Sequence, residues 1–153
     1  MKILVMSDSH GSTNNMLDAV DLEAPDMILH LGDNERDCSA IVSMYANIPL
    51  RKVRGNCDRF SAEPDMDEFV LEGKRFFMTH GHLFGVKSWK TNVIEAAVNR
   101  NADVLLFGHT HVPHYSVKKN LTVVNPGNIG EGGNTYAVLE IKNGVVTCEL
   151  KGL

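Results

Sequence analysis

Three cysteines in 153 residues, none in a Cys-x-x-Cys spacing, are too few for a disulfide framework or a structural zinc site. That scarcity fits a reducing cytoplasm. Long apolar runs are missing too. The longest near the N-terminus is Ile3-Leu4-Val5-Met6, which Asp8 ends, too short for a signal-peptide core or a membrane span. Basic residues are not in excess: 15 Lys and Arg face 19 Asp and Glu, for a net charge of −4. An extended nucleic-acid surface needs a basic face, so that class of partner is disfavoured. No internal repeat, linker or charge block divides the chain, and residues 1–153 read as one domain. What is present is an ordinary globular composition, 43% hydrophobic and 22% charged, with enough chain to bury a core. Histidine stands out, with seven against six Phe and one Trp.

The first third reads β-α-β-α-β. Lys2–Met6 and residues 27–31 are continuous apolar runs of the kind buried parallel strands show, and residues 50–53 form a weaker third. Met16, Leu17 and Val20 recur at helical spacing after Ser12 and Thr13, two candidate N-caps. Cys38, Ile41, Val42 and Tyr45 make a second helical stripe before Pro49. This pattern implies parallel strands with crossover helices. The remainder turns antiparallel. Residues 67–71 and 75–79 flank Glu72-Gly73-Lys74, residues 114–117 and 121–124 flank a second turn, and residues 136–141 and 145–150 surround Asn143-Gly144, a strong hairpin signal. A helical stripe at Val93, Ile94, Ala97 and Val98 and a buried strand at Val104–Phe107 lie between. Two packed mixed sheets with helices outside accommodate both halves.

Polar residues of one kind come directly after five of these strands: Asp8 and His10; Gly32, Asp33 and Asn34; Gly55, Asn56, Cys57 and Asp58; Thr79, His80, Gly81 and His82; and Gly108, His109, Thr110 and His111. Ligand crevices of open α/β sheets lie beyond the C-terminal strand ends, so the five clusters should meet at one edge. Asp, His and Asn together form a mixed oxygen and nitrogen donor set that suits Mn, Fe, Zn or Ni. A serine-based triad competes poorly, because no Gly-x-Ser-x-Gly elbow is present. The glycines permit tight turns out of a strand. On an extended chain, His109 and His111 would share one face. Singly, Asp8-Ser9-His10 or Gly32-Asp33-Asn34 reads as an ordinary turn, and His80 as a hydrogen-bonded histidine. Five such clusters at five strand ends do not.

Asp8-x-His10, Gly32-Asp33, Gly55-Asn56-x-Asp58, His80 and Gly108-His109-x-His111 resemble the ordered motifs of the calcineurin-like metallophosphoesterases. Val53-Arg54-Gly55-Asn56-Cys57-Asp58, Thr79-His80-Gly81-His82 and Asn125-Pro126-Gly127 resemble its small, single-domain prokaryotic phosphodiesterase branch. The resemblance implies a four-layer α-β-β-α sandwich of two mixed sheets flanked by helices. It implies two divalent ions, Mn foremost with Ni, Fe, Zn or Mg as alternatives. Asp8, His10 and His111 would hold the first, Asn56, His80 and His109 the second, and Asp33 would bridge them. Two such cations against two aspartates and a bridging hydroxide leave a net positive centre that attracts a phosphodiester monoanion, and the hydroxide would attack phosphorus.

The implied catalytic group is Asn56, Cys57, Asp58 and His80. Many members carry His after the Asn, as the acid for the leaving group; Cys57 occupies that place here. A thiol is a weak donor, and its alternative reading is a small buried hydrophobe. Asp58 would orient this position or cap the next turn. Asn34, Arg54, His82 and Lys87 are candidates for contact with substrate phosphate, Lys87 reading equally as a surface charge. Trp89 reads as core or a subunit contact, and His30 as structural. The implied partner is a small phosphodiester, with no membrane, and a homo-oligomer (dimer or tetramer) by resemblance. The alternatives are a phosphomonoesterase or nuclease of the same family, or a non-catalytic scaffold like the retromer subunit of this fold.

Overall fold

The computed structural model describes Met1–Leu153. Its first half runs β1 (Lys2–Met6), α1 (Thr13–Glu23), β2 (Met27–His30), α2 (Cys38–Met44) and β3 (Leu50–Lys52). The second runs β4 (Met66–Leu71), β5 (Lys74–Thr79), α3 (Thr91–Asn99), β6 (Val104–Phe107), β7 (His114–Lys118), β8 (Leu121–Asn125), β9 (Thr135–Lys142) and β10 (Val145–Gly152). One sheet has the order β10-β9-β1-β2-β3 and the other β4-β5-β6-β8-β7. In each, three strands run parallel and the flanking pairings are antiparallel.

Apolar runs become strands here because both faces of each sheet are covered. Ile3 and Val5 of β1 point inward with Leu29 and Leu31, against Phe76, Met78 and Leu106 of the other sheet. Leu4 and Met6, one residue out of phase, point outward onto Met16, Ala19 and Val20 of α1 and Ile41 of α2. On the far side Phe77, Leu105 and Phe107 meet Val93 and Ala97 of α3. The result is the expected α-β-β-α sandwich of four layers. Phe76, Phe77 and Phe107 are fully buried, and truncating one to alanine costs about 3–5 kcal/mol.

Local departures have simple causes. The β4–β5 turn has two residues, not three. Leu71 pairs with Lys74, while Glu72 and Gly73 take φ of 49° and 75°, both left-handed as this tight turn requires. Ser12 sits at the N-cap of α1 but its side chain caps nothing; its Oγ accepts the Glu131 amide instead. Trp89 is 75% exposed and is no part of the core. No helix is long and apolar enough to cross a membrane.

Candidate metal centre

The parallel strands β1, β2, β3, β5 and β6 end on one edge, and the segments leaving them meet there. Glycine lets them meet. A Cβ on Gly32 would lie 2.6 Å from the Gly55 amide nitrogen, one on Gly55 would lie 2.1 Å from Asp33 Oδ1, and one on Gly108 would lie 2.1 Å from Ser7 Oγ. Only Gly32 of these three also needs its left-handed φ of +97°; Gly55 and Gly108 serve close approach rather than turning.

Left-handed backbone is nonetheless concentrated here. Asp8, His10, Asp33, Asn34, His109 and His111 all have φ between 44° and 68°. Non-glycine residues take this region reluctantly, and such strain gathers at functional sites. It also corrects the extended reading of His109-Thr110-His111. Two left-handed residues turn the segment, so the two rings reach different neighbours: His111 Nε2 lies 3.1 Å from Asp8 Oδ1, and His109 Nδ1 lies 3.1 Å from His80 Nε2.

Each site aspartate has one oxygen occupied by the protein and one presented. Asp8 is fully buried; its Oδ2 accepts the Ser7 hydroxyl at 2.5 Å and the His109 amide at 3.2 Å. Its Oδ1 is buried with no hydrogen-bond partner. Around that oxygen stand His111 Nε2 at 3.1 Å, His80 Nε2 at 3.9 Å and His10 Nε2 at 4.0 Å. Asp33 Oδ1 accepts the Cys57 amide at 2.8 Å, while Oδ2 lies 3.5 Å from His80 Nε2 and 3.9 Å from His10 Nε2. His80 Nδ1 lies 2.8 Å from the Leu31 carbonyl, which can only accept. Nδ1 therefore carries the proton in the neutral ring, and Nε2 turns its lone pair into the cluster.

These placements set the charges. Burial works against a charged His80, but the carboxylates of Asp33 and Asp8 outweigh it and raise its pKa. Burial, then repulsion from His80 and Lys87, pushes His109 down to about 4. Burial alone would raise Asp33, yet its bonds from His80 and the Cys57 amide hold it well below the usual carboxylate range. Burial and His80 likewise lower His82.

A buried anionic oxygen without a donor, facing converging imidazole nitrogens, is costly in an isolated protein. Divalent cations resolve it, and the donor set fits them. Ligand atoms of Asp8, His10 and His111 lie within 4.8 Å of one another; so do those of Asp33, His80 and His109, and those of His10, Asp33 and Cys57. Asn56, exposed, stands beside Cys57 on the β3 loop, its amide nitrogen 3.4 Å from Cys57 Sγ. Cys57 is exposed, which removes the reading of a buried hydrophobe.

Asp58 does not face the cluster. Its buried carboxylate accepts the amides of Asp33 at 2.9 Å, Glu35 at 3.1 Å and Gly55 at 2.8 Å. It clamps the β2 and β3 loops together, so its part is positioning. Arg54 is engaged with Asp65 at 2.7 and 3.0 Å. Asn34 joins the network through its carbonyl, which accepts Ser9 Oγ. His82 stacks at a tilt, 5.4 Å from the His80 ring, with its Nδ1 buried and unpartnered. Lys87 is exposed, and His30 is wholly buried.

Two supports brace the site: Ser7 escaped sequence reading, and Asn125 entered it only through the Asn125-Pro126-Gly127 motif. Ser7 fixes Asp8, and its only signal was a polar residue directly after an apolar strand. Asn125, fully buried, donates to the Gly108 carbonyl at 2.9 Å and to Thr110 Oγ1 at 3.0 Å, steadying the loop that carries both histidines.

Comparison with known proteins bears on the family and the fold. The chain is 34% identical over 155 residues to a Bacillus subtilis protein named probable metallophosphoesterase YsnB, covering 96% of this chain and 88% of that one. It is 32% identical over 168 residues to the phosphodiesterase YfcE of Escherichia coli K12, covering 92% and 88%. A solved structure from Streptococcus pneumoniae, described as a predicted phosphoesterase, superposes with a TM-score of 0.80 at 26% identity, covering 99% and 88%. Residues 1–144 match the calcineurin-like phosphoesterase superfamily domain, and the chain belongs to that superfamily.

Proposed function

We propose that this metal-dependent phosphoesterase is a phosphodiesterase for small diesters, working with two divalent cations. Asp8, His10 and His111 would hold one, Asn56, His80 and His109 the other, with Asp33 between them. Mn²⁺ is the first candidate, then Ni²⁺, Fe²⁺, Zn²⁺ and Mg²⁺. The observation that carries the reading is Asp8 Oδ1, an unpartnered buried carboxylate oxygen with three imidazole nitrogens within 4.0 Å.

Bound divalent ions supply Lewis-acid activation of the phosphate oxygens and of the attacking water. The chain supplies order. Ser7 and the His109 amide hold Asp8, the Cys57 amide holds Asp33, and the Leu31 carbonyl fixes the His80 tautomer, so the presented atoms need little rearrangement. Cys57 Sγ stands at the leaving-group position of relatives. Partial desolvation and the neighbouring Asp33 raise its pKa, and a thiol is a weak donor. Arg54 is already paired with Asp65, so it offers no spare positive charge for a monoester dianion; a diester monoanion is the better match.

Metal analysis combined with a matched panel of mono- and diesters tests the proposal. Two metals per chain, loss of activity on chelation, recovery with Mn²⁺ or Ni²⁺, and faster diester than monoester turnover are expected. Faster monoester turnover would reverse the substrate assignment, and absence of metal binding would end the reading.

A further inference from the structure

Beside the cluster lies a cleft of about 510 Å³ whose nine lining residues include none that is hydrophobic. His10 belongs to both the cleft and the metal-ligand cluster. Asn128, on the opposite wall, places its Nδ2 3.4 Å from His111 Nδ1. An ester group on a phosphorus held at the cluster can therefore extend directly into this cleft.

The lining says what that group is. No Phe, Tyr, Trp or aliphatic side chain lines it, and its one ring, His10, belongs to the metal-ligand cluster, so neither a base nor an acyl chain finds a free surface to stack or pack on. Donors and an acceptor are both present. The backbone N–H groups of Asn14 and Asn15, in the first turn of α1, bond nothing within the chain. The Ser12 hydroxyl accepts the Glu131 amide and keeps its own proton to donate. The exposed carboxylate of Glu131 makes no ion pair with a side chain and can accept two hydroxyl protons. A second anion would meet Glu131, and a cation would meet the helix terminus. A neutral group with several hydroxyls, each both donor and acceptor, satisfies all of them.

We infer that the cleft bounded by His10, Ser12, Asn14, Asn128 and Glu131 binds the alcohol portion of a polyol phosphodiester, a glyceryl or sugar group esterified to the reacting phosphate. This rests on the phosphodiesterase reading above and specifies its substrate.

The test holds the chemistry fixed. Two diesters share 4-nitrophenolate as leaving group and differ only in the retained alcohol, 2,3-dihydroxypropyl in one and propyl in the other. With the fully metallated protein, kcat/KM should favour the dihydroxypropyl diester by roughly tenfold or more, the scale of one or two hydrogen bonds that involve a charged group. Glu131→Gln, a change at an exposed side chain, should shrink that ratio several-fold at unchanged metal content. Ratios within about twofold of one for wild type, or a phenyl diester outpacing the dihydroxypropyl one, would overturn the assignment while leaving a working phosphodiesterase. No hydrolysis of any of these diesters by metal-loaded protein would instead overturn the phosphodiesterase reading, and this inference with it.

Discussion

Two groups of buried carboxylates in this chain are built in opposite ways. Glu23, at the C-terminal end of α1, accepts the Tyr136 hydroxyl at 2.9 Å and Lys151 Nζ at 3.0 and 3.2 Å, with Lys2 Nζ 3.7 Å away. Every charge there has a partner supplied by the chain. At the strand edge, Asp8 is more deeply buried, yet its Oδ1 has no partner, and the groups around it are imidazoles rather than lysines. The first arrangement is finished by folding. The second is finished only by something that binds. Burial alone does not mark a functional carboxylate; incomplete pairing in a place that could easily have held a lysine does.

The sharpest way to break this contrast is Asp33→Asn. Removing the charge common to both proposed ion sites should cost metal affinity and rate well beyond the roughly 10–100-fold typical of an outer partner, as read by metal analysis and turnover on an activated diester. Near-normal binding of both metals would show that another group bridges. Asp58→Ala comes next. It frees the amides of Asp33, Glu35 and Gly55 without touching a presented atom, and a loss of about 10–100-fold in metal affinity is expected. An unchanged affinity in chelator competition would mean the two loops hold position without it.

Glu23→Gln should act on stability alone. Burial would raise the Glu23 pKa, but Lys151 and Tyr136 outweigh it and hold it below its usual 4.5. The folded state therefore gains from ionised Glu23 above about pH 4.5, and the gain fades as pH falls through the lower folded value. The melting temperature of the variant should lie below wild type at neutral pH, and the gap should close in acid. A gap that widens in acid would mean the pair is not what stabilises. Mn²⁺ should raise the melting temperature of both proteins alike, since a ligand of the native state stabilises it by mass action.

The smallest effect is expected at Cys57. Cys57→Ala should leave 4-nitrophenyl diester hydrolysis within about tenfold, because a stable leaving group needs little of the acid help otherwise typically worth 10²–10⁴-fold. Cys57→His should raise rates on alkyl leaving groups selectively. Abolished nitrophenyl hydrolysis in Cys57→Ala, with metals and fold intact, would give the thiol a direct role.

Much of this was legible in the chain. Apolar runs marked the strands because buried parallel strands leave no polar face to alternate. Gly73 and Asn143-Gly144 marked hairpins because left-handed φ is cheap at glycine and tolerated at asparagine, although the first turn proved one residue shorter than Glu72-Gly73-Lys74. Asp and His after four of the strands pointed to the cluster of Asp8, His10, Asp33, His80, His109 and His111, since parallel strands of such sheets deliver their next residues to one shared C-terminal edge. Residue type and position along the strand are local properties, and sequence records them.

Tertiary structure decided the rest. Which oxygen of Asp8 or Asp33 is left over depends on Ser7, on the Cys57 amide and on the His109 amide, reached across as many as 101 positions. That Asp58 clamps loops rather than facing the cluster is due to three amides that only the packed loops bring within reach of it. His109 and His111 part company because both are forced left-handed, a cost no spacing rule reveals. The polar cleft exists only where the start of α1 faces residues 128–131. Donor types are written in the sequence; which donors remain unsatisfied is settled when distant backbone groups compete for them.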